Sequence, residues 1–213
     1  MSTITVWADI GCPWAYVTVL RLHSIRDHLN ANRVEFDVRA LPLEFVDGDA
    51  PSPARRRYEM AALAQHEHTA FSAYQKRMWP TTLLPAFEAQ KWGYSMGQDV
   101  GEQFDLAIRR GLFLHFHNIS MRHELLAIAE TERLEPNSLA AALDDGRFRK
   151  AVTADFEAAK GANITESPTV VLGDGEVHVN PGMSVEWLRD IPIITADHPS
   201  VYEEIIRTAG LED

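Results

Sequence analysis

The fold is decided by the stretch Thr3-Ile4-Thr5-Val6-Trp7-Ala8-Asp9-Ile10-Gly11-Cys12-Pro13-Trp14-Ala15-Tyr16. Its first part, from Ile4 to Ile10, is mostly β-branched and apolar on both faces, which predicts a buried parallel strand. From Cys12 to Leu29 the apolar residues recur at helical spacing. Pro13 suits the first turn of a helix, because the N–H that proline lacks is not needed there. A strand therefore runs directly into a helix at Cys12.

Cys12 is the only cysteine of the chain. At the start of a helix, the free N–H groups and the helix dipole favour a thiolate over a thiol, so we expect a lowered pKa for this side chain. Because the thiolate is the nucleophilic form, Cys12 is a candidate catalytic residue. The alternative is that Cys12 is a small buried hydrophobe, as a lone cysteine commonly is.

The composition is that of an ordinary globular protein, with 213 residues, 46% hydrophobic and 24% charged. The net charge of −11 argues against nucleic acid or an anionic membrane as a partner. The densest basic run, Arg55-Arg56-Arg57, is interpreted as a solvated helix start. The sequence shows neither a signal peptide nor an apolar run of membrane length, and one cysteine excludes an internal disulfide. We therefore expect a cytoplasmic protein.

The middle of the chain is predicted to be wholly helical, and it follows a half-buried edge strand over residues 34–40. Ser52-Pro53 begins a long helix that is predicted to reach Pro80, with Tyr74 and Met78 on its apolar side. Shorter helices are predicted from Pro85 to Gly93 or Gly97, from Val100 to Phe113, after Ser120, from Asn137 to Leu143 and from Arg147 to Lys160.

The β character returns at residues 166–172, and Gly173-Asp174-Gly175 turns the chain into a second strand over residues 176–180. Ser184 is predicted to cap a short helix that includes Leu188, and a final helix begins near Pro199. If the hairpin lies beside the first strand, one mixed sheet joins both β regions. The fold is then α/β, with the helical block as an insertion.

The chain resembles the DsbA-like branch of the thioredoxin superfamily, which includes FrnE-type oxidoreductases, 2-hydroxychromene-2-carboxylate isomerases and kappa-class glutathione transferases. The resemblance rests on Cys12-Pro13-Trp14-Ala15 after the first strand and on Ser167-Pro168 before the hairpin. It implies a thioredoxin fold with a mixed four-stranded sheet and a large all-helical insertion domain. The thioredoxin-like domain then comprises residues 1–50 and 151–213, and the insertion comprises residues 51–150.

The resemblance also implies roles for individual residues. Pro168 takes the place of the family's cis-proline, so that the backbone of Ser167 faces Cys12 and pairs with an extended substrate. From the sequence alone, Pro168 would be interpreted as a trans proline that starts a strand, and only the resemblance favours the cis isomer. Cys12 is then the catalytic residue, and the substrate- or thiol-binding residues are Pro13, Trp14, Ala15, Ser167 and Pro168.

Ala15 departs from the family pattern, because it stands where the second cysteine of the Cys-Pro-x-Cys motif is expected. A site with two cysteines resolves its own mixed disulfide, whereas Cys12 alone needs a second thiol from solution. The implied co-substrate is a low-molecular-weight thiol such as glutathione or mycothiol, with no tightly bound cofactor. The implied partners are small thiols or disulfides, or protein thiols, and a homodimer is compatible with the size of the chain.

Two further functions stay open. In the isomerase and transferase relatives a serine usually occupies the Cys12 position and no resolving cysteine follows, so a glutathione-dependent isomerase or transferase is one alternative. A thiol in place of a hydroxyl favours redox chemistry. A binding protein without enzymatic activity is the other alternative.

Three other polar features carry weaker signals. The pairs His66-x-His68 and His115-x-His117 lie at a spacing that points to different faces of a helix, so no metal site is predicted. Asp9, three residues before Cys12, is interpreted either as a proton acceptor or as an ordinary carboxylate at the end of a strand.

Overall fold

The structure is a computed structural model and describes residues 2–48, 52–73 and 79–210. Its strands are β1 (Ser2–Ala8), β2 (Val34–Ala40), β3 (Thr169–Val171), β4 (Val177–Val179), β5 (Met183–Leu188) and β6 (Ile191–Asp197). Its helices are α1 (Pro13–Leu29), α2 (Glu44–Asp47), α3 (Pro53–Leu63), α4 (Leu84–Ser95), α5 (Gln98–Phe113), α6 (Arg122–Thr131), α7 (Pro136–Asp145), α8 (Arg149–Gly161) and α9 (Ser200–Gly210).

The main sheet has the strand order β2-β1-β3-β4. Strand β1 pairs in parallel with β2 and antiparallel with β3, and β4 completes the hairpin with β3. The predicted mixed four-stranded sheet is therefore confirmed, with β1 inside the sheet and β2 at its border. The run of helices from α3 to α8 lies between β2 and β3, as expected for a thioredoxin-like α/β fold with a helical insertion. The domain boundaries at residues 50 and 150 stay a prediction.

The junction between β1 and α1 is formed as the sequence predicts. Cys12 is the N-cap of α1 in an extended conformation, and Pro13 occupies the first turn. Asn30 caps the C-terminus of helix α1, and its φ of 52° is the left-handed conformation that commonly ends a helix. Tyr16 on α1 stacks on Phe113 of α5, with ring centroids 5.2 Å apart. The insertion is thus packed directly against the helix that carries the cysteine.

The long helix predicted from Ser52-Pro53 to Pro80 is wrong. Helix α3 ends at Leu63, and the chain then turns. In the turn, Glu67 accepts a hydrogen bond from Arg21 of α1 at 2.6 Å, while Phe71 packs edge-on against Tyr16. These contacts with α1 outweigh the helical pattern. Tyr74 and Met78, which were expected on the apolar side of this helix, lie outside the described residues.

The short helix predicted after Ser184 is also wrong, because this segment is strand β5. It pairs antiparallel with β6 in a separate two-stranded sheet, with Leu188 opposite Ile191. Strand β6 is rich in β-branched residues, which favour an extended backbone. Pairing with this partner overrides the weak capping signal of Ser184, and it places Trp187 beside the site described next.

Candidate active site

The loop between β1 and α1 is held by the carboxylate of Asp9, which is fully buried. One oxygen, Oδ1, accepts from the N–H of Gly11 at 2.7 Å, and the other, Oδ2, accepts from the N–H of Leu43 at 2.9 Å. The Asp9 carbonyl accepts from Nη1 of Arg109 at 2.9 Å. Both oxygens of the carboxylate are thus used to fix backbone, which supports the interpretation of Asp9 as a structural residue of this loop.

Gly11 lets the insertion approach the loop closely. A Cβ atom at this position would lie 2.6 Å from Cδ1 of Leu83. Leu83 is buried just before α4, so there is little free space into which it can move. The absence of a side chain at Gly11 therefore allows the insertion to cover the loop over residues 9–12, here called the cysteine loop.

Cys12 and the backbone of Ser167 face each other, as the family resemblance implies. The thiol of Cys12 donates to the carbonyl oxygen of Ser167 at 3.3 Å, and the Ser167 hydroxyl accepts from the N–H of Asp9 at 2.8 Å. The peptide bond between Ser167 and Pro168 is cis. The backbone N–H of Ser167 donates to no other residue in the described part of the chain.

The prediction of a lowered pKa for Cys12 is wrong. Burial raises the pKa of the thiol, since the side chain is only 2% exposed. Among the charged groups, Arg56 acts most strongly in the opposite direction, and Glu59 adds to the rise. In this state the desolvation of a thiolate outweighs the favourable effect of the helix N-terminus. The hydrogen bond from Cys12 to Ser167 agrees with a protonated thiol, because only the S–H form donates.

The thiol lies at a cavity of about 660 Å³. Four regions of the chain form its walls: the cysteine loop with the start of α1, the α2–α3 region, the segment before β3, and the β4–β5 region. The lining residues are Cys12, Trp14, Leu43, Asp47, Ser52, Arg55, Arg56, Glu59, Glu166, Ser167, Asn180, Val185 and Trp187.

The other predicted site residues occupy different positions. Trp14 lines the cavity, whereas Pro13, Ala15 and Pro168 are buried beside it and are not among its lining residues. Ala15 is fully buried one turn into α1, and its backbone N–H acts to lower the pKa of the Cys12 thiol. The structure therefore places a methyl group where the resolving thiol of the family motif would be.

The basic run at the start of α3 is only partly solvated, in contrast to the prediction. The Arg55 side chain is 57% exposed and Arg57 is also exposed, but Arg56 is only 4% exposed. Nη1 of Arg56 donates to Oε2 of the buried Glu59 at 2.7 Å. Nε of Arg55 reaches the other oxygen of Glu59 at 3.3 Å. The prediction of a solvated side chain is wrong for Arg56, because this residue is buried in the wall of the cavity.

Sequence reasoning thus missed the two buried charged residues that line the cavity with Cys12, Arg56 and Glu59. One signal was present in the sequence: both Arg55 and Arg56 precede Glu59 by a spacing that allows an ion pair on a helix. The tryptophan of β5, Trp187, was missed because its segment was predicted as a helix. The Arg55 guanidinium lies 4.9 Å from the centre of the Trp187 ring, which links the two walls of the cavity.

The histidine pairs do not converge on a common ligand site. His66 binds Asp197 at 2.9 Å, and His68 contacts the backbone oxygen of Ala64. Within the described ranges, no three His, Cys, Asp or Glu side chains are grouped so that they could bind a metal. In the same ranges, no helix combines the length and the apolar character required to cross a bilayer.

The comparisons with known proteins agree with this fold. The family model of the DSBA-like thioredoxin domain matches residues 3–191. The chain therefore belongs to the DsbA-like thioredoxin family, and the resemblance predicted from Cys12-Pro13-Trp14-Ala15 and Ser167-Pro168 is confirmed at the level of the family. None of the curated proteins compared with the chain matches it significantly.

Solved structures of similar fold include oxidoreductases and an isomerase. A probable DsbA oxidoreductase from Streptomyces coelicolor is 18% identical, with a TM-score of 0.73 over 100% of this chain and 92% of that chain. A 2-hydroxychromene-2-carboxylate isomerase is 13% identical, with a TM-score of 0.65 over 84% of this chain and 89% of that chain. The cytosolic disulfide reductase DsbM from Pseudomonas aeruginosa, in a structure with GSH, is 15% identical, with a TM-score of 0.65 over 83% and 88%.

Proposed function

We propose that this protein is a cytoplasmic thiol–disulfide oxidoreductase that uses Cys12 as its only redox thiol and a low-molecular-weight thiol to complete each cycle. The observation that carries the proposal is the contact of Cys12 with the Ser167 carbonyl at the edge of the cavity, while Ala15 leaves no second thiol in the chain. Membership of the DsbA-like family supports thiol chemistry at this position.

The proposed reaction transfers a small thiol from a mixed disulfide. The Cys12 thiolate attacks the sulfur of the small thiol, a new disulfide forms with Cys12, and the substrate leaves as a thiolate with the electron pair of the broken bond. A second small thiol, as its thiolate, then attacks the sulfur bound to Cys12. This attack releases Cys12 as a thiolate and yields the oxidised dimer of the small thiol. Each turnover thus consumes one free small thiol, which leaves in the oxidised dimer together with the small thiol that came from the substrate.

The surroundings of Cys12 suit a small co-substrate. The cavity of about 660 Å³ lies within the range of pockets for small ligands. The unused N–H of Ser167 and its carbonyl can pair with an extended backbone next to the substrate sulfur, and this pairing would take the carbonyl away from the resting thiol. Glutathione or mycothiol is the proposed co-substrate, and the GSH present with the DsbM neighbour favours glutathione as the first compound to test.

The proposal is tested by incubating the purified protein with a peptide that carries a glutathione mixed disulfide, in the presence of reduced glutathione. We expect thiol-dependent release of the peptide thiol, and mass spectrometry should detect one glutathione on Cys12 when the free glutathione is omitted. The variant Cys12→Ala should show neither result. A parallel assay with mycothiol replaces both the adduct and the reductant. Absence of exchange with both thiols would overturn the redox proposal.

A glutathione-dependent isomerase or transferase is the second candidate. The raised pKa of Cys12 and the methyl group of Ala15 favour it, since a thiol that stays protonated resembles the hydroxyl that usually stands at this position in those relatives. The variant Cys12→Ser separates the two candidates. Retention of a glutathione-dependent isomerase or transferase activity in this variant would support the second candidate, whereas loss of all activity supports redox chemistry. A chain that is inert in every assay and binds a stable partner would instead indicate a binding protein.

A further inference from the structure

Arg56 is a buried cation with unused hydrogen-bond donors at the cavity. It is 4% exposed, and Nη1 donates to Glu59. Nε and Nη2 donate to no residue in the described part of the chain. Arg56 and Cys12 line the same cavity. The donors Nε and Nη2 are not among the sealed, unpaired side-chain atoms of the described residues. Arg56 therefore has donors available toward the cavity that Cys12 also lines.

Glu59 holds Arg56 in place from the side of α3. Its carboxylate is 2% exposed and receives one hydrogen bond from each of Arg55 and Arg56. The shared carboxylate limits the rotation of the Arg56 side chain, and it also opposes the positive charge of Arg56. The electrostatic effect of Arg56 on the cavity thus depends on how much of the negative charge of Glu59 is offset by Arg55.

The charges that face Cys12 come from several elements. Asp9 is the first residue after β1, and α3 contributes both Arg56 and Glu59. The remaining charged lining residues of the cavity are Asp47 on α2, Arg55 on α3 and Glu166 before β3. Burial acts to lower the pKa of Arg56, but Cys12 in its thiolate form and the carboxylates of Glu59 and Asp9 raise it overall, so the guanidinium stays charged. Among the cavity residues of the described chain, Arg56 is the buried cation.

We propose that Arg56 is the catalytic cation that stabilises the Cys12 thiolate and the negative charge shared by the reacting sulfur atoms, and that Glu59 positions Arg56 and limits its strength. This inference rests on the proposed function. During exchange one negative charge moves from the attacking sulfur to the leaving sulfur. A guanidinium that is already held in place by Glu59 stabilises this charge without reorganising.

The test measures the thiolate directly, without a disulfide substrate. The rate of alkylation of Cys12 by iodoacetamide, a neutral reagent, is followed from pH 5 to pH 11 in the full chain. For Arg56→Met we expect the alkylation rate at pH 7 to fall at least about tenfold, since an opposite charge close to an acid favours its charged form. For Glu59→Gln we expect the opposite change, a faster alkylation at pH 7, because Gln still accepts from Arg56 but carries no negative charge.

The opposite signs distinguish a charge effect from damage to the fold, because partial unfolding exposes the thiol in both variants and shifts both profiles in one direction. Arg56→Lys keeps the charge and should recover most of the loss. The matched control is Arg57→Met, which removes the same charge from the next residue, outside the lining of the cavity, and should keep the profile of the unmodified chain. Shifts of equal sign for Arg56→Met and Glu59→Gln would overturn the proposal.

The two proposals fail in different ways. If the unmodified chain shows no disulfide exchange while the opposite shifts are found, the proposed function is wrong but the influence of Arg56 on the thiolate stands. If exchange occurs and Arg56→Met alkylates at the unmodified rate, the role of Arg56 is wrong and the proposed function is unaffected. If Arg56→Met does not fold, Glu59→Gln and Arg56→Lys still decide the question.

Discussion

Arg109 and Arg56 are both buried beside carboxylates, and they differ in what their remaining donors do. Arg109 has a fully buried side chain, binds Asp105 through Nε at 2.9 Å and donates to the Asp9 carbonyl. Its Nη2 is sealed from solvent and has no hydrogen-bond partner among the described residues. Arg56 binds Glu59 in a similar way, yet its remaining donors lie at a cavity.

The difference teaches that burial and ion pairing alone do not mark a functional charge. Arg109 donates to a backbone carbonyl and to Asp105, and Asp105 also accepts a hydrogen bond of 2.7 Å from Gln90. Such a cation fixes the end of β1, and its loss should be felt in stability. Only one donor atom of Arg56 is used within the described chain, so we expect the loss of Arg56 to change the reactivity of Cys12. The two residues meet at Asp9: Arg109 binds its carbonyl, and Arg56 acts on its carboxylate.

The largest effect is expected from Arg109→Met. This change leaves Asp105 buried without its cation and the Asp9 carbonyl without a donor, so we expect a loss of about 3–5 kcal/mol in the free energy of unfolding, measured with urea. The control is Arg122→Met, which removes an arginine from the exposed pair with Asp144 and should leave the urea midpoint unchanged. A small loss for Arg109→Met would contradict its structural role.

An intermediate effect is expected from Asp9→Asn. The amide can accept from only one of the N–H groups of Gly11 and Leu43, and its own NH₂ faces the other, which should lower the free energy of unfolding by about 1–3 kcal/mol. The cysteine loop should loosen at the same time. An unchanged urea midpoint would show that Asp9 does not hold this loop.

The pH dependence of stability sharpens the same test. Burial raises the pKa of Asp9, while Arg56 acts most strongly to lower it. With a raised pKa, the native state binds more protons than the unfolded state between the ordinary and the native value. The contribution of Asp9 to stability is therefore fully present below the ordinary pKa and is lost as the pH rises through the native value. Urea titrations from pH 3 upward should show this decline in the difference between the free energies of unfolding of the unmodified chain and Asp9→Asn, because the contributions of the other carboxylates cancel in that difference.

The smallest effect is expected from Arg55→Met. This side chain is 57% exposed and its hydrogen bond to Glu59 is long, at 3.3 Å, so the free energy of unfolding should fall by less than about 1 kcal/mol. Without Arg55, Glu59 acts more fully on Arg56, and alkylation of Cys12 should slow only slightly. A loss as large as that of Arg56→Met would remove the distinction between the two residues.

The parts of the fold that the sequence predicted are those specified by local pattern. The β-branched and apolar residues of β1, the alternation of β2 and the Gly173-Asp174-Gly175 turn each identify an element without knowledge of its neighbours. The same holds for the start of α1, where Pro13 places Cys12 at the N-cap. The pairing of Cys12 with Ser167 required more, since it came from the resemblance to a family.

The rest depended on contacts between distant segments. Strand β5 is extended because β6 pairs with it, and residues 184–188 alone carry only a weak helical signal. Arg56 and its neighbours Arg55 and Arg57 have the same residue type, and only the packing of α3 against the cavity decides which of them is buried. The pKa of Cys12 was predicted in the wrong direction for this reason, because the helix terminus is visible in the sequence whereas the desolvation is not.

The contact between Cys12 and Ser167 joins residues 155 positions apart. This separation in sequence also fixes a delay during synthesis, because a ribosome that adds about 5–20 residues per second needs roughly eight to thirty seconds to extend the chain from Cys12 to Ser167. Throughout this interval the thiol has neither its carbonyl acceptor nor the β4–β5 wall of its cavity. The newly made chain therefore presents an accessible cysteine to cellular oxidants before the site that shields it can be assembled.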